Sequence, residues 1–194
     1  MTGPASTLAA LALAGLMQLS TVATARDAAE ASAARAPIAS FTGASTGVRE
    51  TGWVRVTSQE ALTALWGDHA QVEWQHVPAL AVDFERCIVL AYFQPNTTNA
   101  SGVTVESIES VDAGLRVRYD VAQYQTMSIG EEPDRGVASA PFAFFVVDRY
   151  EGPLVFEENV QGIIGQPPVW KHRWSLGATT ADSERAHPMP SGSR

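Results

Sequence analysis

Two uninterrupted apolar runs set the strongest limit on what this chain can fold into. Residues 88–93 read Ile-Val-Leu-Ala-Tyr-Phe, and residues 142–147 read Phe-Ala-Phe-Phe-Val-Val. Both are too short to cross a bilayer. Neither offers a polar position to water, as expected of a central strand covered on both faces. A third stretch carries the complementary pattern. Leu115, Val117, Tyr119 and Val121 alternate with Arg116, Arg118 and Asp120, which is a strand with one buried and one wet face. It follows a Ser-Val-Asp-Ala-Gly turn at 110–114, whose Asp and Gly suit a hairpin.

Further strands are expected at 53–56, 103–108 and 153–156, with 169–174 as an edge strand. One helix stands out between them. Thr57 and Glu60 have capping-box spacing, and Leu62, Leu65 and Trp66 share one face. Gly67 and Asp68 weaken the pattern, so the helix is predicted over about 58–69. An early helix followed by hairpin-linked strands implies an α+β fold. The expectation is a single domain with a mainly antiparallel sheet or sandwich of about six to seven strands. Helices do not alternate with strands, which excludes a doubly wound parallel sheet. The folded unit is expected at 41–175, between a flexible Ala-rich spacer at 26–40 and a disordered tail at 176–194.

The first 25 residues carry no charged side chain. An apolar run at 8–19 leads to Ala23-Thr24-Ala25, a small-x-small cleavage pattern, and the charged chain begins at Arg26. This is the layout of a secretory signal peptide, although no Lys or Arg precedes the run. Of 13 basic residues, only Lys171 is Lys, which points to a GC-rich bacterial genome. The expected compartment is the periplasm or the medium. A single cysteine among 194 residues excludes an internal disulfide and a cysteine-based zinc site. Cys87 opens an apolar run and reads as a small buried hydrophobe. The formal charge of −8 and pI near 4.9 argue against a nucleic-acid partner. No segment reads as a membrane span, and no cofactor is expected.

The catalytic strings are weak. Gly43-Ala44-Ser45-Thr46-Gly47 matches G-x-S-x-G, and Asp148 and His172 follow in hydrolase order. That motif needs a strained strand-to-helix turn above a parallel sheet. No apolar strand precedes Ser45 and no helix follows it, so 43–47 reads as a flexible stretch leading into the domain. His69 and His76, with Asp68 and Glu73, lack metal-ligand spacing and read as surface or half-buried side chains. Glu131, Glu132 and Asp134 lack the alternation of a calcium loop and read as a solvated loop. Two N-glycosylation strings begin at Asn96 and Asn99.

Residues 166–174, Gln-Pro-Pro-Val-Trp-Lys-His-Arg-Trp, form the one positive aromatic cluster of an acidic chain. Trp170 and Trp174 with Lys171, His172 and Arg173 make either an edge strand covering the core or a recognition surface, because Trp and Arg dominate interface hot spots. The loop Asn96-Thr97-Thr98 and the trio Trp170, His172 and Trp174 are the candidate partner contacts.

The order of motifs resembles a known family. A helix with Ala61-Leu62-x-x-Leu65-Trp66 precedes Val77-Pro78, Val82-Asp83-Phe84 and the 88–93 run. Gly102-Val103-x-Val105, Leu115-x-Val117 and Ala140-Pro141-Phe142 follow. Over about 50–160 this is similar to the C-terminal domain of PrcB, a subunit of a secreted bacterial protease complex. Asn99-Ala100-Ser101-Gly102 stands where that family usually has a Thr-Gly-Gly-Tyr-like stretch. The resemblance implies an exported binding or assembly domain, with an exported protease or envelope protein as partner. It supplies no catalytic residue. Asp83 and Phe84 also have a local account, with Asp83 capping a turn and Phe84 in the core. Two alternatives differ in class. Pro95-Asn96-Thr97-Thr98 resembles the loop of chagasin-type protease inhibitors, without the Asn-Pro order or that family's other motifs. A small hydrolase would use Ser45.

Overall fold

A computed structural model describes residues 34–70, 80–126, 136–163, 165–179 and 183–188. The expected signal peptide, the 71–79 stretch with Glu73, His76 and Val77-Pro78, and the acidic loop Glu131, Glu132 and Asp134 lie outside the described residues.

The described chain runs β1 (Ala39–Gly43), β2 (Gly52–Val56), α1 (Gln59–His69), β3 (Cys87–Phe93), β4 (Thr97–Thr98), β5 (Ala100–Val111), β6 (Gly114–Gln123) and β7 (Ala138–Ser139). It continues with β8 (Phe142–Asp148), β9 (Leu154–Asn159), β10 (Trp170–Leu176), β11 (Ser183–Arg185) and β12 (His187–Pro188). A first five-stranded sheet has the order β1-β8-β3-β2-β11, a second has β12-β10-β9-β6-β5, and β4-β7 form a small ribbon. All recorded strand pairs are antiparallel except β6 with β9. The expected α+β fold with a mainly antiparallel sheet is what forms.

The two apolar runs become β3 and β8, paired with each other at the centre of the first sheet. Side chains alternate faces along a strand, and both faces are dry. Ile88, Leu90 and Tyr92, with Ala143, Phe145 and Val147, face the second sheet and meet Val117, Tyr119, Leu154 and Phe156 there. Val89, Ala91 and Phe93, with Phe142, Phe144 and Val146, face the other way and are covered by Leu62 and Trp66 of the helix. The order of layers is therefore helix, first sheet, second sheet. Burying Leu62 alone contributes about 1.5–3 kcal/mol. The alternating strand is β6. Its Val117, Tyr119 and Val121 are buried, whereas Arg116, Arg118 and Asp120 are only partly so.

The helix begins one residue later than the capping-box spacing implies. Ser58, not Thr57, is the N-cap, and its Oγ accepts from the Ala61 N–H at 3.2 Å. Ser58 has the extended backbone a cap requires. Asp83 behaves as expected: its side chain accepts from the Glu85 N–H at 3.1 Å, and Phe84 packs against the helix-side core. The hairpin at Asp112-Ala113 joins Val111 to Gly114. A Cβ on Gly114 would lie 2.2 Å from the Pro153 carbonyl oxygen, so only glycine fits where β6 starts beside β9.

Seven strands were expected from pattern, and twelve strand segments are present among the described residues. The additional ones, β1, β4, β7, β11 and β12, have no apolar alternation to announce them. Two boundary expectations change accordingly. The spacer at 26–40 joins the fold from Arg35, which exchanges two backbone hydrogen bonds with Ile108 at 2.9 and 3.0 Å. Part of the 176–194 tail is likewise ordered: β11 pairs with β2 and β12 with β10. Among the described residues no helix is long and apolar enough to cross a membrane.

Candidate functional site

The three hydrolase-order residues do not meet. Gly43 pairs with Phe142 at one end of β8, and Asp148 lies at the other end. At about 3.3 Å per residue the strand separates them by roughly 20 Å. Ser45 leads into a turn rather than a helix, Asp148 pairs with Arg35 at 3.5 Å, and His172 belongs to the other sheet. Gly43 closes β1, and residues 44–47 that follow it, Ser45 included, form a loop.

His69 is fully buried, which corrects the expectation of a surface or half-buried histidine. The helix terminus drives it between β1 and β8, where its ring lies 4.0 Å from that of Phe142 and 5.3 Å from those of Trp66 and Phe144. Nδ1 lies 3.1 Å from the Thr46 hydroxyl, and Nε2 has no hydrogen-bond partner among the described residues. Desolvation lowers its pKa from 6.5 to about 4. Because the folded pKa is the lower one, the unfolded chain takes up the proton first as pH falls. Stability is therefore complete above pH 6.5 and lost between 6.5 and 4. The loss from this residue reaches about 2 kcal/mol by pH 5 and about 3 kcal/mol in full. Urea unfolding at pH 7 and pH 5 should show it, and His69→Gln should remove that share of the slope. An equal slope in the variant would show that other groups cause it. Among the described residues no group of three or more His, Cys, Asp or Glu side chains is placed to hold a metal. Cys87 is a half-buried free thiol beside the helix-side core.

The loop at 96–102 is more ordered than its composition suggests. Asn96 and Asn99 adopt left-handed backbone angles (φ 61° and 56°), which Asn tolerates best among residues with a side chain. Thr97 and Thr98 pair with Ser139 and Ala138. Asn99 ties the ribbon down: its Oδ1 accepts from the Val137 N–H at 2.7 Å and its Nδ2 reaches Thr126 Oγ1 at 3.4 Å. These bonds occupy the amide that a glycan at the second string would need. Asn96 and Thr98 remain exposed.

The Trp cluster splits between two faces of the second sheet. Trp174 pairs with Phe156 and packs on the core between the sheets. A Cβ on Gly52 would come within 3.2 Å of its ring, so the approach depends on glycine there. Trp170, across from Asn159, turns to the outward face, and the Arg118 guanidinium sits 5.3 Å from its ring centroid. A bulge between His172 and Trp174 makes this split possible. His172 Nε2 lies 2.9 Å from Ser175 Oγ and 3.0 Å from the Trp174 carbonyl oxygen. The expected contacts therefore do not form one patch. Ala100, at the start of β5, pairs with Gln123, and Trp170 pairs with Asn159, so β6 and β9 lie between the loop and the Trp cluster.

An ion-pair ladder on the outward face escaped the sequence reading. Arg118 reaches Glu157 at 3.0 Å and Glu109 at 3.7 Å, while Arg116 reaches Glu157 at 3.4 Å and Glu109 at 3.8 Å. The wet half of the β6 alternation was the available signal, but its partners come from strands distant in sequence. Beside the ladder is a cleft of about 580 Å³ at the end of the second sheet. The end of β6, Glu158 to Asn159 of β9, the following loop and Arg173 line it. No family model, curated protein or solved structure matches the chain.

Proposed function

We propose that this protein is an exported, non-catalytic binding or assembly module of the PrcB-like kind. Its partner is an exported protease or an envelope protein, met in the periplasm or the medium. The observation that carries the reading is the outward face of the second sheet. Glu109, Arg116, Arg118 and Glu157 hold one another there, and Arg118 covers Trp170. Side chains already held in place lose less freedom on docking, and Arg and Trp are the residues that most often dominate binding energy. The distance between Ser45 and Asp148 and the enclosure of His69 favour binding over acyl-transfer chemistry.

Affinity capture from native envelope or culture fluid tests this, with the tagged full chain as bait and mass spectrometry as readout. The wild type should retain one partner in stoichiometric amount. Trp170→Ala should weaken capture about tenfold or more, as expected for an anchor aromatic. Its urea midpoint should move little, because Trp170 is half-buried on the outward face. A clean monomeric bait, or undiminished capture by the folded variant, would sink the reading.

A further inference from the structure

The cleft at the end of the second sheet has an open strand edge for a wall. The β6–β9 ladder stops at Tyr119 and Glu158, whereas β6 continues to Gln123. Backbone groups point to alternate sides along a strand. The Leu115 N–H donates to the Pro153 carbonyl on the β9 side, at 3.0 Å. Counting in twos, Val121 and Gln123 point their N–H and C=O the same way, past the end of β9 and into the cleft. The intervening residues confirm the phase. The Ala122 carbonyl accepts from Ser101 Oγ, and the Tyr124 N–H donates to the Asn99 carbonyl, both on the β5 side. Among the described residues no strand pairs with this edge beyond Tyr119, and an open edge is a template for another strand.

The other walls fit an extended peptide. Val160 and Ile163 line the cleft and are 42% and 66% exposed, so apolar surface is offered to an incoming side chain. Charge selects among peptides. Arg173 is taken by Glu158 at 2.6 Å. Among the described residues Asp120 has only the Asn159 amide, at 3.4 Å, and no cation. One carboxylate in the cleft therefore lacks a positive partner among the described residues, in a protein of formal charge −8.

We propose that an extended segment of a partner polypeptide, carrying a Lys or Arg side chain, adds as a strand to the Val121–Gln123 edge of β6 and pairs its cation with Asp120. Main-chain bonds to Val121 and Gln123 supply affinity, the Val160 and Ile163 surface takes an apolar neighbour, and Asp120 supplies selectivity. Strand addition of this type reads alternate side chains. The proposal rests on the binding-module reading and specifies the partner's chemistry.

The probe is a phage-displayed library of random linear dodecapeptides, selected on the full chain. Selected peptides should carry Lys or Arg within a β-branched or apolar run. Synthesised singly, they should slow amide hydrogen exchange at Val121 and Gln123 by about tenfold or more. The near-isosteric Asp120→Asn and the stronger Asp120→Arg should each weaken binding, the latter by at least about tenfold, with unchanged unfolding midpoints. A selection that yields no binders overturns the proposal, as do binders that ignore Asp120 and leave both amides unprotected. The two readings can fail separately. Partner capture that persists at full strength in Asp120→Arg removes the cleft and leaves the binding module standing. Peptides held at the β6 edge by a chain that captures no native partner remove the assembly role and leave the cleft.

Discussion

Arg55→Ala is expected to cost about 3–5 kcal/mol of folding stability, the range for breaking a buried ion pair from one side. Arg55 lies in β2 with no solvent exposure. Its Nη1 donates to the Gly152 carbonyl at 2.8 Å, and its Nη2 donates to the Glu184 carboxylate at 2.9 Å and to the Gly177 carbonyl. Alanine leaves those acceptors without their donor and leaves a void at the end of the core between the sheets. Arg55→Lys should recover less than half of the loss, because one ammonium on a flexible stem does not reproduce the planar fork. The same cluster pins β11 to β2, so pairing of β11 should weaken along with stability. The measurement is urea unfolding of the two variants, with a double-mutant cycle through Glu184→Ala. A loss under about 1 kcal/mol, or no coupling to Glu184, would show the cluster to be a bystander.

Trp53→Ala should be comparably severe, about 3–5 kcal/mol, the usual cost of deleting a large buried aromatic. Trp53 has no exposed surface and stacks on Phe156 at 4.4 Å between ring centroids, with an interplanar angle of 17°. Tyr92 and Tyr119 each lie 5.1 Å away and Phe145 lies 6.0 Å away. The ring spans the gap between the two sheets, so its loss opens a cavity that rigid strands on both sides cannot close. Near-UV circular dichroism should collapse along with the urea midpoint. Trp53→Phe should restore part of both signals. Trp170→Ala, the same chemical deletion on the outward face, should do neither. Equal effects at the two positions would mean that Trp53 does not bridge the sheets.

Tyr119 adds a second consequence of that enclosure. Burial raises the pKa of its phenol and that of Tyr92, with Glu158 adding to both shifts. Neither ring offers an ionisable group at ordinary pH, which fits a packing role.

The parts of the fold legible in sequence are those decided by local rules. A strand with no polar position must be covered twice, and β3 and β8 are. An alternating strand must have one dry face, and β6 has. The Leu62, Leu65 and Trp66 spacing placed the helix and its buried face. Ser58 displaced Thr57 as the cap because neighbouring hydroxyls compete for the same free N–H groups, and backbone angles choose between them. Those angles are not written in the side-chain pattern.

The site was less legible. Trp170 and Trp174 were recognisable as unusual, but four-residue spacing implied nothing about a bulge that sends them to opposite faces of β10. His69 looked like one scattered histidine, and only docking of the helix end onto Phe142 and Phe144 buries it. Glu109 and Glu157 come from β5 and β9, so their meeting with Arg116 and Arg118 depends on strand order. The same holds for the open β6 edge, which exists because β9 turns away at Asn159 while β6 runs on. Apolar periodicity thus determined which segments form the layers, since burial is a property each residue carries with it. The tertiary structure alone decided which strands lie side by side, where an edge stays unpaired and which charges meet. Pairing energy is shared between segments far apart in sequence, and neither partner encodes it alone.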